Sequence, residues 1–287
     1  MTGEAQEQKI REILTHQPFK SITKGILKVE SMYGKGGGKG ISGITFKLIV
    51  SNGRKYKLNY TNDLKRAKQI EKATISIEEA LHKSKLKKIT PTFYGRENRF
   101  LLFEWIEGTE LKENMKVSDC HRLGQMCAEV HRLNQFKKYD MDKLFIPRIK
   151  RIPNNIFSNE EKSRIKSVYY ELKKKIDADI VLELNDLSPK NFIRDKNQNI
   201  IYVDEGGIQH TIKGIGFVKP CLNLFSEKQR KAFLKGYNSI LPIDFFDKDY
   251  EKFVSIVQST IMIDTTIKEG RNPKKKYQRS LKILKNV

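Results

Sequence analysis

The sequence predicts an α+β protein of two lobes. A small N-terminal lobe carries an antiparallel five-stranded sheet and one long helix, and a larger, mainly helical C-terminal lobe follows. Three observations predict it: apolar alternation broken by turn residues over 21–60, a switch to helical spacing at about residue 62, and a mostly helical pattern after Gly108. Ile26 to Met32 is apolar enough for a first strand, and a glycine-rich stretch, Gly34 to Gly43, separates it from the next. Ile44, Phe46, Leu48 and Val50 alternate with more polar neighbours, Ser51-Asn52-Gly53 makes a turn, and Arg54 to Tyr60 alternates again. Leu64, Ala67, Thr74 and Leu81 then share one helix face, and Pro91 closes the helical stretch. Thr92–Tyr94 and Arg99–Trp105 complete five strands, and Glu107-Gly108 breaks the pattern.

In the second lobe Leu123, Met126, Cys127 and Val130 fall on one helix face. Capping boxes at Ser158–Glu161 and Ser226–Gln229 start two further helices, the first carrying Ile165, Val168, Tyr169, Leu172 and Ile176, the second Phe233 and Tyr237. Ile180–Leu184 and Ile200–Val203 read as strands on either side of an irregular loop. With no long linker and no internal repeat, the expected division is residues 1–106 and 107–287, with a hinge near Trp105 to Gly108.

Composition narrows the function. The chain has 287 residues, 38% apolar and 31% charged, which suits a globular protein with a polar surface. Fifty-six Lys and Arg against 34 Asp and Glu give a net charge of +22, so encounters with polyanions, including anionic surfaces, are fast and salt-sensitive. Three cysteines without CxxC spacing argue against a disulfide framework and a zinc site, and the first 14 residues hold no apolar signal segment. A cytoplasmic protein without a membrane span is expected.

The chemistry concentrates in Asn185-Asp186-Leu187-Ser188-Pro189-Lys190-Asn191, with Asp204 directly after the apolar run 200–203. An Asp and an Asn five apart, then an Asp ending the next strand, supply oxygens for one site, as phosphoryl transfer requires. Asp186 would accept or orient a substrate hydroxyl, while Asn191 and Asp204 would hold a Mg²⁺ that neutralises nucleotide phosphates. Lys190, next to Asn191, would face the transferred phosphoryl. Gly38, Gly40 and Gly43 form a GxGxxG between two expected strands, where backbone N–H groups can cover phosphates. It is not a Walker A loop, and a strand rather than a helix follows it, against dinucleotide binding.

This order of motifs resembles the protein-kinase-like fold, and more narrowly the aminoglycoside and choline phosphotransferases. The resemblance spans residues 25 to 240, with Phe103 to Gly108 similar to the hinge, Leu123 to His131 to the following helix and Ala232 to Tyr237 to a late helix. It implies ATP and Mg as cofactors, adenine bonded to the backbone at Glu104 and Ile106, and a third-strand lysine on the α- and β-phosphates paired to a helix carboxylate. Lys57 is our choice for that lysine, although the neighbouring apolar positions align Asn59 with it; residues 57 and 59 share a strand face. Glu78 is favoured over Glu71 as its partner. Two departures stand out: Leu184 replaces the histidine two residues before the catalytic aspartate, and Asp204-Glu205-Gly206 replaces an aspartate-phenylalanine-glycine sequence.

The expected function is an ATP- and Mg-dependent phosphotransferase acting on a hydroxyl of a small molecule or glycan. The +22 charge favours a neutral or anionic acceptor over a polycationic aminoglycoside. A pseudokinase or nucleotide-binding scaffold is the alternative, motivated by Leu184, Glu205 and Asn59. Nucleic-acid binding rests on charge alone, without the aromatic and basic interleaving of a stacking surface.

Overall fold

Strand β1 (Ile26–Ser31) pairs antiparallel with β2 (Ile44–Val50), β2 with β3 (Lys55–Tyr60), and β3 with β5 (Phe100–Glu104), which also takes β4 (Phe93–Glu97). The sheet order is therefore β1-β2-β3-β5-β4. The computed structural model describes residues 8, 10–22, 25–31, 44–61, 63–84, 88–112, 114–132, 140–176, 180–217, 225–241, 248–268, 270–276 and 278–287. The glycine motif at Gly38, Gly40 and Gly43 lies outside them.

Alternation builds the two faces of this sheet. Phe46, Leu48, Val50, Tyr56, Leu58 and Leu102 point to one side, into a core closed by Ile10, Leu14 and Phe19. Leu101 and Phe103 point to the other, where Ala67 and Ile70 of helix α1 (Leu64–Ser84) cover them. Lys57 and Asn59, alternating with the buried Tyr56 and Leu58 and paired with Phe103 and Leu101, sit on this helix-covered face. Gly53 closes the β2–β3 turn at φ 78°, the left-handed region that glycine enters without a steric penalty.

The expectation of a five-stranded antiparallel sheet with one long helix and a larger helical region is borne out. The chain divides into two compact units: 1–112 with 189–209, and 113–188 with 210–287. The first unit thus also contains β6 (Gly108–Glu110), β8 (Phe192–Asp195) and β9 (Ile200–Tyr202), a three-stranded sheet ordered β6-β8-β9. It is stitched to the first segment by Leu111 N–H on Phe192 O at 3.0 Å and Tyr202 N–H on Ile89 O at 2.8 Å.

The second unit contains helices α2 (Val117–Arg132), α3 (Met141–Arg151), α4 (Asn159–Lys175), α5 (Glu227–Asn238), α6 (Lys248–Lys268), α7 (Pro273–Lys276) and α8 (Gln278–Lys285), with β7 (Ile180–Leu184); β10 (Ile208–Ile212), the strand paired with β7, has residues 210–212 in this unit. Both capping boxes form, each contributing about 1 kcal/mol. Helices α2 and α5 approach so closely that a Cβ on Gly124 would lie 1.9 Å from Phe233 O, and one on Gly236 1.9 Å from His121 O. Phe145, Tyr169, Phe253, Ile256, Val257 and Leu284 belong to the core of α3, α4, α6 and α8. Asp264 on α6 takes two of the guanidinium nitrogens of Arg151, Nε at 3.0 Å and Nη2 at 2.8 Å, and Lys268 at 3.2 Å.

Candidate active site

The segment leaving β9 is the centre of the site in the first unit. Val203 donates its N–H to Asn191 O at 2.8 Å, joining it to the single-turn 3-10 helix Pro189–Asn191. The Asn191 amide nitrogen lies 3.5 Å from Asp204 Oδ2, so a carboxylate and an amide, both hard oxygen donors, are within reach of one ion. That donor set fits Mg²⁺, which keeps several water and phosphate ligands and needs few from protein. Among the described residues no group of three His, Cys, Asp or Glu gathers around a metal position. Residues Glu205–Gly207 form another single turn. A Cβ on Gly207 would meet Tyr202 Oη at 2.1 Å and Asp204 Oδ2 at 3.0 Å, so a side chain there would displace the Tyr202 hydroxyl and crowd the Asp204 carboxylate.

Lys57 reaches this segment from β3. Its Nζ donates to Val203 O at 2.5 Å and to Glu205 Oε2 at 2.7 Å. Asn59 Nδ2 donates to the same Oε2 at 3.2 Å, and its Oδ1 accepts from Thr45 Oγ1 at 2.9 Å. The two residues that sequence alignment could not separate therefore share one carboxylate. The expected ion pair between Lys57 and a carboxylate of the long helix does not form. Glu78 instead accepts from Phe93 N–H at 2.6 Å, fastening α1 to β4, and Glu71 takes Arg96 Nε at 2.6 Å. Burial raises the Glu78 carboxyl above the ordinary glutamate range, and the Phe93 N–H only partly offsets it.

Two contributors escaped the sequence reading. Arg66 of α1 donates to Gly206 O and so anchors the turn after Asp204; burial pulls its pKa down, with the Asp204 carboxylate opposing. It was hidden among the lysines of that helix. Glu205 was noted only as a departure from a motif, and its partner lies 148 residues away in sequence.

At the expected hinge, Glu104 N–H already donates to Thr92 O at 2.9 Å, so any backbone bond from Glu104 to adenine goes through its carbonyl. The Glu104 side chain takes Thr92 Oγ1 at 2.9 Å and the Lys88 ammonium. Glu104 and Ile106 line a cavity of about 520 Å³ bounded on another side by Arg194 to Gln198. Lys190 is exposed.

Asp186 belongs to the second unit, just past β7. Its Oδ1 accepts from Ser188 N–H at 3.1 Å and Ser188 Oγ at 2.5 Å, which fixes the carboxylate on its own loop. Leu184, in place of the family histidine, is fully buried at the end of β7. His131 is buried: Nδ1 lies 2.7 Å from Tyr237 Oη, and the ring stacks on Phe217.

No protein-family profile and no curated protein matches the sequence. Solved structures do match in fold, among them kinases and phosphotransferases of small molecules, and the fold is the kinase-like one they share. Choline kinase LicA from Streptococcus pneumoniae is similar over 99% of this chain and 100% of its own, with TM-score 0.71 at 15% identity. Spectinomycin phosphotransferase APH(9)-Ia, solved with ADP and spectinomycin, is similar over 97% and 93%, with TM-score 0.66 at 17% identity. A choline kinase from Cryptosporidium parvum is similar over 97% and 94%, with TM-score 0.62 at 15% identity. Among the described residues no helix is long and apolar enough to cross a membrane.

Proposed function

We propose that this chain is an ATP- and Mg²⁺-dependent phosphotransferase that phosphorylates a hydroxyl of a small molecule or glycan. The observation that supports it most is the convergence on residues 203–205: the Asn191–Asp204 pair and the Lys57 ammonium meet on one three-residue segment. Two hard oxygen donors beside a fixed cation suit a nucleotide polyphosphate with its metal. The fold shared with choline and spectinomycin phosphotransferases supports the same reading.

In this reading Lys57 binds the α- and β-phosphates, while Asn191 and Asp204 would hold Mg²⁺, which supplies neutralisation of the phosphate charge. Gly38, Gly40 and Gly43 cover the phosphates, and Glu104 and Ile106 take the adenine. Asp186, held by Ser188, orients the acceptor hydroxyl and accepts its proton as the oxygen attacks phosphorus. Lys190 neutralises the moving phosphoryl. The +22 charge favours a neutral or anionic acceptor over a polycationic one.

A panel of hydroxylated metabolites and saccharides, assayed for ATP consumption with and without Mg²⁺, tests the proposal. Acceptor-dependent turnover that EDTA abolishes is the expected result. Mg-dependent stabilisation by ATP with no turnover on any acceptor would instead identify a nucleotide-binding scaffold, the reading favoured by Leu184 at the family histidine position.

A further inference from the structure

We infer that Glu205 is the positioning residue of the phosphate-binding lysine, supplying from the metal-binding turn the carboxylate that a kinase-like fold is expected to draw from its long helix. The inference rests on the phosphotransferase reading above for the lysine's role, and on geometry for the pairing.

Glu205 is 0% exposed, and a carboxylate removed from water to that degree costs several kcal/mol unless it is paired. Its partners are specific. Lys57 Nζ at 2.7 Å and Asn59 Nδ2 at 3.2 Å both donate to Oε2, while Oε1 is buried with no hydrogen-bond partner among the described residues. Thr45 fixes the Asn59 amide, so Oε2 has one charged and one neutral donor in set positions on a single strand face. The competing carboxylates of α1 are engaged elsewhere, Glu78 with the β4 backbone and Glu71 with Arg96.

The turn bearing Glu205 is itself tied down on three sides, by Val203 N–H on Asn191 O, by Lys57 on Val203 O and by Arg66 on Gly206 O. Asp204 and Glu205 are adjacent in sequence. The lysine anchor and a metal-site oxygen therefore move as one piece, and the distance between the two cationic centres facing the phosphates is set within one turn. In the expected arrangement a helix carboxylate would have to be brought up to the lysine. Here the ammonium is oriented without any contribution from Glu71 or Glu78.

Two readouts test this on the full chain. The first is acylation of Lys57 by an amine-reactive ester, followed by peptide mass spectrometry without nucleotide. Glu205→Gln should accelerate Lys57 labelling several-fold, and Glu78→Gln should do so far less. Equal labelling of wild type and Glu205→Gln, or an equal effect of Glu78→Gln, would overturn the assignment. The second is ADP affinity in EDTA together with the kcat and KM for ATP. Loss of an orienting partner typically costs about 10- to 100-fold in affinity or activity, and Glu205→Gln should fall in that range, with KM for ATP raised. Tighter ADP binding in Glu205→Gln would show that the carboxylate competes with phosphate for Lys57, which also refutes a positioning role. If Glu205→Gln does not fold, Glu205→Asp, which keeps the charge on a shorter arm, should give intermediate values; wild-type labelling and affinity there would count against the proposal. Wild-type protein that binds no adenine nucleotide defeats the phosphotransferase reading and the phosphate role with it, whereas nucleotide binding insensitive to Glu205 defeats this inference alone.

Discussion

Two buried carboxylates, one in each unit, meet cations in opposite ways. Asp264 is only 3% exposed at its side chain and is saturated: each oxygen takes an Arg151 nitrogen, and Lys268 adds a third donor. Glu205 is buried more deeply, yet among the described residues its two donors crowd onto one oxygen and the other has none. A carboxylate whose acceptors are all used serves as a structural clamp. One left partly unsatisfied costs stability, and such costs collect at functional sites.

The sharpest break between structural and chemical carboxylates would come from Asp186, whose Oδ1 takes the two donors of Ser188. Removing a general base typically costs about 10²- to 10⁴-fold, so Asp186→Ala should lose that much turnover with ATP affinity retained; near-full activity would exclude it as the base. Asp264→Ala should show the reverse pattern. Loss of hydrogen bonds to charged partners predicts a stability loss of about 2–3 kcal/mol, read from urea or thermal midpoints, with ADP affinity unchanged. Burial alone would raise the Asp264 carboxyl, but Arg151 and Lys268 outweigh it and hold it below the ordinary aspartate value. Its stabilisation is therefore complete above that ordinary value and lost as pH falls through the folded one. Asp264→Asn should flatten the acid limb of the stability profile.

Gly124→Ala damages the second unit without touching a charge. Its new methyl would lie 1.9 Å from Phe233 O, which predicts a loss of about 1–3 kcal/mol as α2 and α5 separate, with ADP affinity again unchanged. Glu78→Gln should have the smallest effect. The amide oxygen can still accept from Phe93 N–H, while the charge disfavoured by burial disappears. Because the folded Glu78 carboxyl titrates above its ordinary value, its favourable contribution is present at acid pH and lost as pH rises through the folded value. The variant should match or exceed wild type at pH 7 by less than about 0.5 kcal/mol, and a clear loss would mean that the ionised form is needed.

How much of this was legible depended on whether the signal was local. Alternation at Phe46, Leu48 and Val50 placed β2, and Ser158 and Ser226 marked helix starts, because each is a short-range pattern. The spacing of Asp186, Asn191 and Asp204 was equally readable. Helix α6 was not, because it is buried on most of its circumference, through Phe253, Ser255, Val257, Thr260 and Ile263, so the contrast between faces is lost. The basic C-terminal stretch hid α8, whose fully buried Leu284 joins the α3–α6 core. Glu205 was unreadable for a different reason. A glutamate gives no local sign of which distant lysine it will meet, and Glu78 was the plausible choice only because its helix was the carboxylate source the family resemblance suggested.

The first unit is assembled from two stretches of chain, 1–112 and 189–209. During synthesis the five strands and their helix leave the ribosome well before Asn191, Tyr202 and Glu205 exist. Until then Ile89 O lacks its Tyr202 donor, and Lys57 and Asn59 lack their carboxylate. A chain ending at residue 112 therefore lacks the carboxylate that pairs with Lys57, and that partner is reached only some 90 residues further along the sequence.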